Sequence, residues 1–233
     1  MKLRIRFSKF GPIKYVGHLD MMRFFQKAIK ASGIPVKYTE GFSPHQVLSF
    51  AAPLGVGTES ESEYCDLELT ESTGIETYFE PLNREMCDGL TILGFYELPE
   101  KAKNAMASVQ GASYRILFND EKAISLLTDS VNTFKSSDSV LSYKETKTGT
   151  KERNLKEAVY DIYAQDGELY FTCDASSGGN LKPAALLEGL FKPYGLSFQP
   201  WDYHIIRTEV FARNEKEELV PLYDGFKELV SRS

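Results

Sequence analysis

The chain has 233 residues, and its 33 acidic and 27 basic side chains leave a net charge of −6. A hydrophobic share of 42% and a charged share of 26% exclude a disordered or low-complexity chain and require a real core. No run of about 18 apolar residues is present to span a bilayer, and the basic start MKLRIRFSKFG lacks the apolar stretch of a secretion signal, so a cytoplasmic protein with no membrane partner is expected.

Leu3, Ile5 and Phe7 alternate with Arg4 and Arg6, the period-two pattern of a half-buried strand. After the loop FGPIKYVG, Leu19, Met22, Phe25 and Ile29 recur at helical spacing, and Gly33 stands where a helix would be capped. Arg23, Lys27 and Lys30 then fall on one solvent-facing stripe. IPVKYTE reads as a strand, GFSPH as a loop, VLSFAAP as a second strand and EYCDLELTE as a third. Residues 73–86 carry a helical pattern interrupted by Pro81, which shortens or kinks it. LTILGFYEL is another strand, which gives the β-α-β-β-α-β order with one strand more between the helices.

A linker rich in Lys and Ala, PEKAKNAMASVQG, follows, and the order then repeats. ASYRILF is a strand, and DEKAISLLTDSV is a helix opened by an acidic cap. VLSYKET is a strand, and EAVYDIYAQ and ELYFTCDA form a hairpin over Asp166-Gly167. KPAALLEGLFKPYG is a helix with proline in its first turn, and DYHIIRTEVFA is the last strand. The expected fold is therefore α+β, with two tandem ferredoxin-like units and helices on one face of each antiparallel sheet. A basic unit covers residues 1–98, an acidic unit covers 111–212, and an acidic tail at 213–233 is expected to be helical.

Charge is spread unevenly along this plan. Residues 1–50 hold nine basic side chains and two acidic ones, a net of +7, which leaves 18 basic and 31 acidic side chains, a net of −13, for the rest. A positive face on an acidic protein suits phosphate or an acidic partner. Its alternative reading is neutralisation by the acidic remainder. Cys65, Cys87 and Cys173 are far apart and odd in number, which argues against a disulfide framework or a paired-cysteine zinc site and for reduced thiols.

The opening third, through F-x-K-x-G (residues 7–11), HLD (18–20), YTEGFSPH (38–45), SFAAPL (49–54) and ESEY (61–64), resembles the bacterial radical SAM-linked protein family. The second half resembles it more loosely through GTKERNLKEAV and SGGNLKPAALL, with Asn154 where the family carries Asp. The resemblance implies a working association with a radical SAM iron–sulfur protein encoded nearby. This chain has no CxxxCxxC triplet for such a cluster, and no cofactor of its own is expected.

Candidate chemistry gathers in the first unit. His18 and His45, with Tyr38, Glu40 and Ser43 close in sequence, form a possible acid–base pair, imidazole being suited to neutral pH. The alternative is that each merely caps or bonds its own turn. His18, Asp20 and His45 are weak metal candidates, because positions i and i+2 diverge on a helix. Gly41 belongs to a glycine-bearing loop that permits close backbone approach, without any Walker or dinucleotide fingerprint. Arg4, Arg6, Lys9, Lys14, Arg23, Lys27 and Lys30 are candidate phosphate ligands, and Tyr38, Gly41, Phe42 and Ser43 line the same recognition surface, the aromatics offering faces for bases. The leading expectation is an accessory protein recognising RNA or another phosphate-bearing substrate. The alternatives are a metal-independent RNA-processing enzyme using His18 and His45, and a protein-interaction scaffold with no ligand.

Overall fold

The structure, a computed structural model, describes residues 1–146 and 149–232. The chain divides into two compact units, one formed by Met1–Val109 together with Glu209–Ser233 and the other by Gln110–Thr208.

In the first unit, β1 (Lys2–Lys9) sends Leu3, Ile5 and Phe7 into the core and Arg4 and Arg6 to the opposite face, as its alternation predicts. A 3-10 turn (Gly11–Tyr15) leads to α1 (His18–Ser32), which ends at Gly33 in the left-handed region, φ 79°. Its buried stripe is Met21, Phe25, Ala28 and Ile29. Leu19, expected on that stripe, is 63% exposed, because two positions at about 100° each carry it away from Met21. The segment IPVKYTE forms isolated bridges, Val36 to Leu69 and Tyr38 to Gln46, rather than a strand. β2 (Leu48–Phe50), β3 (Glu59–Glu68), α2 (Phe79–Arg84), β4 (Leu90–Leu98) and the short α3 (Ala105–Ser108) follow. The strands run β4-β1-β3-β2, every neighbour antiparallel.

The second unit begins with β5 (Gly111–Phe118) and α4 (Glu121–Ser136), whose first turn is capped by the Asp120 carboxylate accepting from Lys122 and Ala123. A separate hairpin, β6 (Leu141–Thr146) and β7 (Gly149–Asn154), precedes β8 (Val159–Gln165) and β9 (Glu168–Asp174). The β8–β9 turn places Asp166 and Gly167 at φ 52° and 79°, the positive angles a two-residue hairpin of this hand requires. α5 (Pro183–Phe191) and the part of β10 (Tyr203–Arg213) up to Thr208 complete the unit, whose sheet runs β10-β5-β9-β8. Each unit has its own apolar core, built on Phe25, Phe95 and Leu82 in the first and on Phe171, Leu186 and Phe191 in the second. Cys65 and Cys173 are buried thiols, and burial pushes Cys173 up to about 12. No helix among the described residues is long and apolar enough to cross a membrane.

From Glu209 onward the chain belongs to the first unit, and the expected helical tail is two short strands. Glu217 and Gly225 both take positive φ and Pro221 lacks an N–H, so a continuous helix is interrupted three times. β11 (Leu219–Pro221) pairs with the end of β10, and β12 (Lys227–Ser231) pairs with β4. What fixes this segment is Arg4, only 1% exposed. Its guanidinium makes a two-point bond to Asp66 at 2.8 and 2.9 Å, donates to the Leu222 carbonyl at 2.6 Å, and lies 5.3 Å from the centre of the Phe226 ring. The second Asp66 oxygen also accepts from the Ala105 N–H at 2.6 Å.

A buried pair of this kind is costly to break from one side, since an uncompensated charge remains. Asp66→Ala is expected to lower stability by about 3–5 kcal/mol, measured by urea denaturation. A loss under about 1 kcal/mol, the scale of an exposed pair, would show that Arg4 finds solvent instead.

Candidate functional site

The basic residues of the first fifty positions separate into two groups. Those on and beside β1 are used by the fold. Arg4 is committed as described, so it is not a phosphate ligand. Arg6 donates from Nε to Ser62 Oγ at 2.8 Å, stands 3.7 Å from Glu209 and lies over the Tyr223 ring. Ser62 Oγ donates to the Tyr64 hydroxyl at 2.9 Å, and that hydroxyl donates to Glu209 at 2.6 Å. Burial, reinforced by the Glu209 charge, holds the Tyr64 phenol far above its ordinary range. Burial also pushes the Glu209 carboxyl up, against the bonds it accepts from Tyr64 and Val210 and the charge of Arg6. Lys9 is buried and donates to the Val16 carbonyl at 3.0 Å, and Lys14 pairs with Glu59 at 3.2 Å. Four of the seven predicted phosphate ligands are therefore withdrawn as such, for one reason: each has a fixed partner inside the unit.

The other three lie on α1. Arg23, Lys27 and Lys30 are exposed, and together with Gln26 they form one wall of a groove of about 360 Å³. The opposite wall is the 38–46 loop, through Tyr38, Pro44, His45 and Gln46. The helix places its cations there because positions i, i+4 and i+7 share a face. The loop is held closed at its base by the Tyr38–Gln46 bridge, by the Thr39 N–H donating to the His45 carbonyl at 2.8 Å, and by the His45 N–H donating to Thr39 Oγ1 at 3.1 Å. Gly41 takes φ 109° near the tip, and Phe42 stands beside it at 113% exposure, with Ser43 exposed next to it. Arg23 is engaged by Asp20 at 3.3 Å on the surface. Lys27 and Lys30 have no ion-pair partner among the described residues.

The two histidines are not assembled into a pair. His18 packs edge-on against Phe50, 5.5 Å between ring centres, in a narrow cleft with Phe7, Lys9, Met21 and Glu63. His45 lines the α1 groove and bonds within its own loop, its Nδ1 3.1 Å from Thr39 Oγ1. The helix start and the loop open into different concavities, so the acid–base reading loses its geometry. The metal candidates His18, Asp20 and His45 do not converge either, and among the described residues no three His, Cys, Asp or Glu side chains are placed to hold a metal.

Gln46 is a site residue that the sequence reading missed. It is 6% exposed, its Nε2 donates to the Gln26 carbonyl at 2.9 Å, and its Oε1 has no donor. The signal was available: Gln46, Leu48 and Phe50 alternate, which puts a polar amide at an inward-facing register.

A family model described as an uncharacterised protein conserved in bacteria (DUF2344) matches residues 2–183. The comparison with curated proteins found no match. Among solved structures, one similar chain comes from the crystal structure of a Cbf5-Nop10-Gar1 complex, with 11% identity and a TM-score of 0.44 over 95% of this chain and 53% of that one. The chain thus spans about half the length of that relative.

The raised Glu209 carboxyl has a measurable consequence. Above its ordinary value of 4.5 the unfolded chain releases this proton while the folded state keeps it, so stability falls as pH rises until the folded group also ionises. Urea midpoints measured from pH 5 to 8 are expected to decline less steeply for Glu209→Gln than for the wild type. Parallel profiles would show that Glu209 titrates normally.

Proposed function

We propose that this chain, which belongs to the DUF2344 family of uncharacterised proteins conserved in bacteria, is an accessory protein that recognises RNA or another phosphate-bearing substrate through the groove between α1 and the 38–46 loop. The observation that carries this reading is the state of Lys27 and Lys30. Both face one groove, both are exposed, and neither has an ion-pair partner among the described residues, in a unit where Arg4, Arg6, Lys9 and Lys14 all have partners. Cations left unpaired beside an open groove hold counterions, and a polyanion that displaces those counterions gains affinity from their release.

The partner in this reading is a radical SAM iron–sulfur protein, and its support is the sequence resemblance of residues 4–69. The finer reading of the fold, two ferredoxin-like units, is supported by the strand orders β4-β1-β3-β2 and β10-β5-β9-β8. In each unit the fourth strand flanks the first, which flanks the third, with the second outermost. The β6–β7 hairpin is then an insertion between the first helix and second strand of the later unit.

Filter binding of the purified protein to total bacterial RNA across a salt series tests the substrate half. Three contributing cations predict that the logarithm of affinity falls with log salt at a slope of about −2 on single strands. Lys27→Glu with Lys30→Glu is expected to reduce affinity at least about tenfold and to flatten that slope. Unchanged binding by this double variant would sink the groove as the site.

A further inference from the structure

From the groove itself we infer the class of ligand: a single-stranded polynucleotide, held by its phosphates along α1 and by an unpaired base against Phe42 and Tyr38. The inference rests on the phosphate-recognition reading above and narrows it through three independent features of the site.

The first is the span of the cations. Arg23 to Lys30 is seven helical steps, about 10 Å of rise, longer than one phosphate group and suited to successive phosphates of a chain. The second is the 38–46 loop. Its base is closed by backbone and threonine bonds, yet it holds the Phe42 ring fully in solvent, with Tyr38 44% exposed at the groove wall. A large apolar ring held out on the loop that walls a cationic groove is the arrangement in which aromatic–base stacking adds to phosphate contact. Stacking of this kind requires a base whose face is free, and a duplex hides its base faces.

The third feature is Gln46. Gln46 lines this groove, its buried Oε1 is a hydrogen-bond acceptor without a donor, and an unsatisfied buried acceptor is costly. The ionised internal phosphates of a polyphosphate chain only accept, so polyphosphate can neutralise the lysines and still leave Gln46 unmet. Nucleobases carry amino and imino N–H groups beside their phosphate chain, and so meet both demands.

Fluorescence anisotropy with a labelled single-stranded RNA dodecamer tests this, against the same strand in a duplex, the DNA of identical sequence, and polyphosphate as competitor. The single strand is expected to bind at least about tenfold tighter than the duplex. Phe42→Ala is expected to weaken single-strand binding about tenfold while leaving the salt slope unchanged, because it removes no charge. Phe42 contacts no core residue, so an unaltered circular dichroism spectrum separates this loss from unfolding. Equal binding of RNA and DNA supports the shared chemistry of base and phosphate, and weaker DNA binding narrows it to RNA. Duplex or polyphosphate competing as well as the single strand, or an unaffected Phe42→Ala, would overturn the inference while leaving the broader phosphate reading in place. Absence of binding to every probe at low salt would remove both.

Discussion

The first unit depends on one guanidinium. Arg4 stands on the non-helical face of β1, where an ordinary strand would present it to water. Burying it required a carboxylate from β3, Asp66, and a carbonyl from a segment more than two hundred residues away, Leu222. The cost of desolvating an ion is met only when its hydrogen-bonding directions are filled, so β1, β3, the approach to α3 and the C-terminal segment are constrained together. Arg6 repeats the device at the next position on that face, with Ser62, Tyr64 and Glu209, and Tyr223 stacks on Tyr96 to seal it. Arg232 closes the end of the segment with two contacts to Glu80, at 3.0 and 3.1 Å.

The same covering decides where function can lie. Arg4, Arg6, Arg23, Lys27 and Lys30 are equally cationic, and the sequence alone treats them alike. One face of the sheet holds α1 and α2, and the arginines on its other face bond the returning C-terminal chain, so their charge serves cohesion. Among the described residues no second layer covers the outer face of α1, so its charge remains available at the surface. The groove owes its other wall to the 38–46 loop, whose closure by the Tyr38–Gln46 bridge brings aromatic and amide groups opposite the lysines.

Most of the regular structure was legible because it is written in local chemistry. Alternation in β1, the Asp166-Gly167 hairpin, the Asp120 cap and the glycine after α1 each specify backbone geometry within a few residues. The errors have equally physical origins. Leu19 was placed inside because a helical repeat can be started one residue too early. The tail was read as helical because Glu and Leu favour helices, while the strand partner that overrides this preference, β4, lies more than a hundred residues earlier. Arg4, Arg6 and Lys14 bond residues far off in the chain, which leaves no trace in spacing, and Lys9 bonds the Val16 carbonyl across one turn. Helix periodicity and one short loop suffice to bring Lys27, Lys30 and Tyr38 to one groove, which His45 shares.

The discontinuity of the first unit also bears on how the protein is made. Synthesis proceeds from the N-terminus, and domains commonly fold in that order as they emerge. Here residues 110–208 form a unit that is complete on leaving the ribosome, while the unit begun at Met1 still lacks Glu209–Ser233. Until Leu222 and Tyr223 appear, Arg4 and Arg6 face water on an uncovered sheet. The strands made before residue 110 are therefore completed after the unit that follows them, and through the synthesis of residues 110–208 that sheet stays open to chaperones.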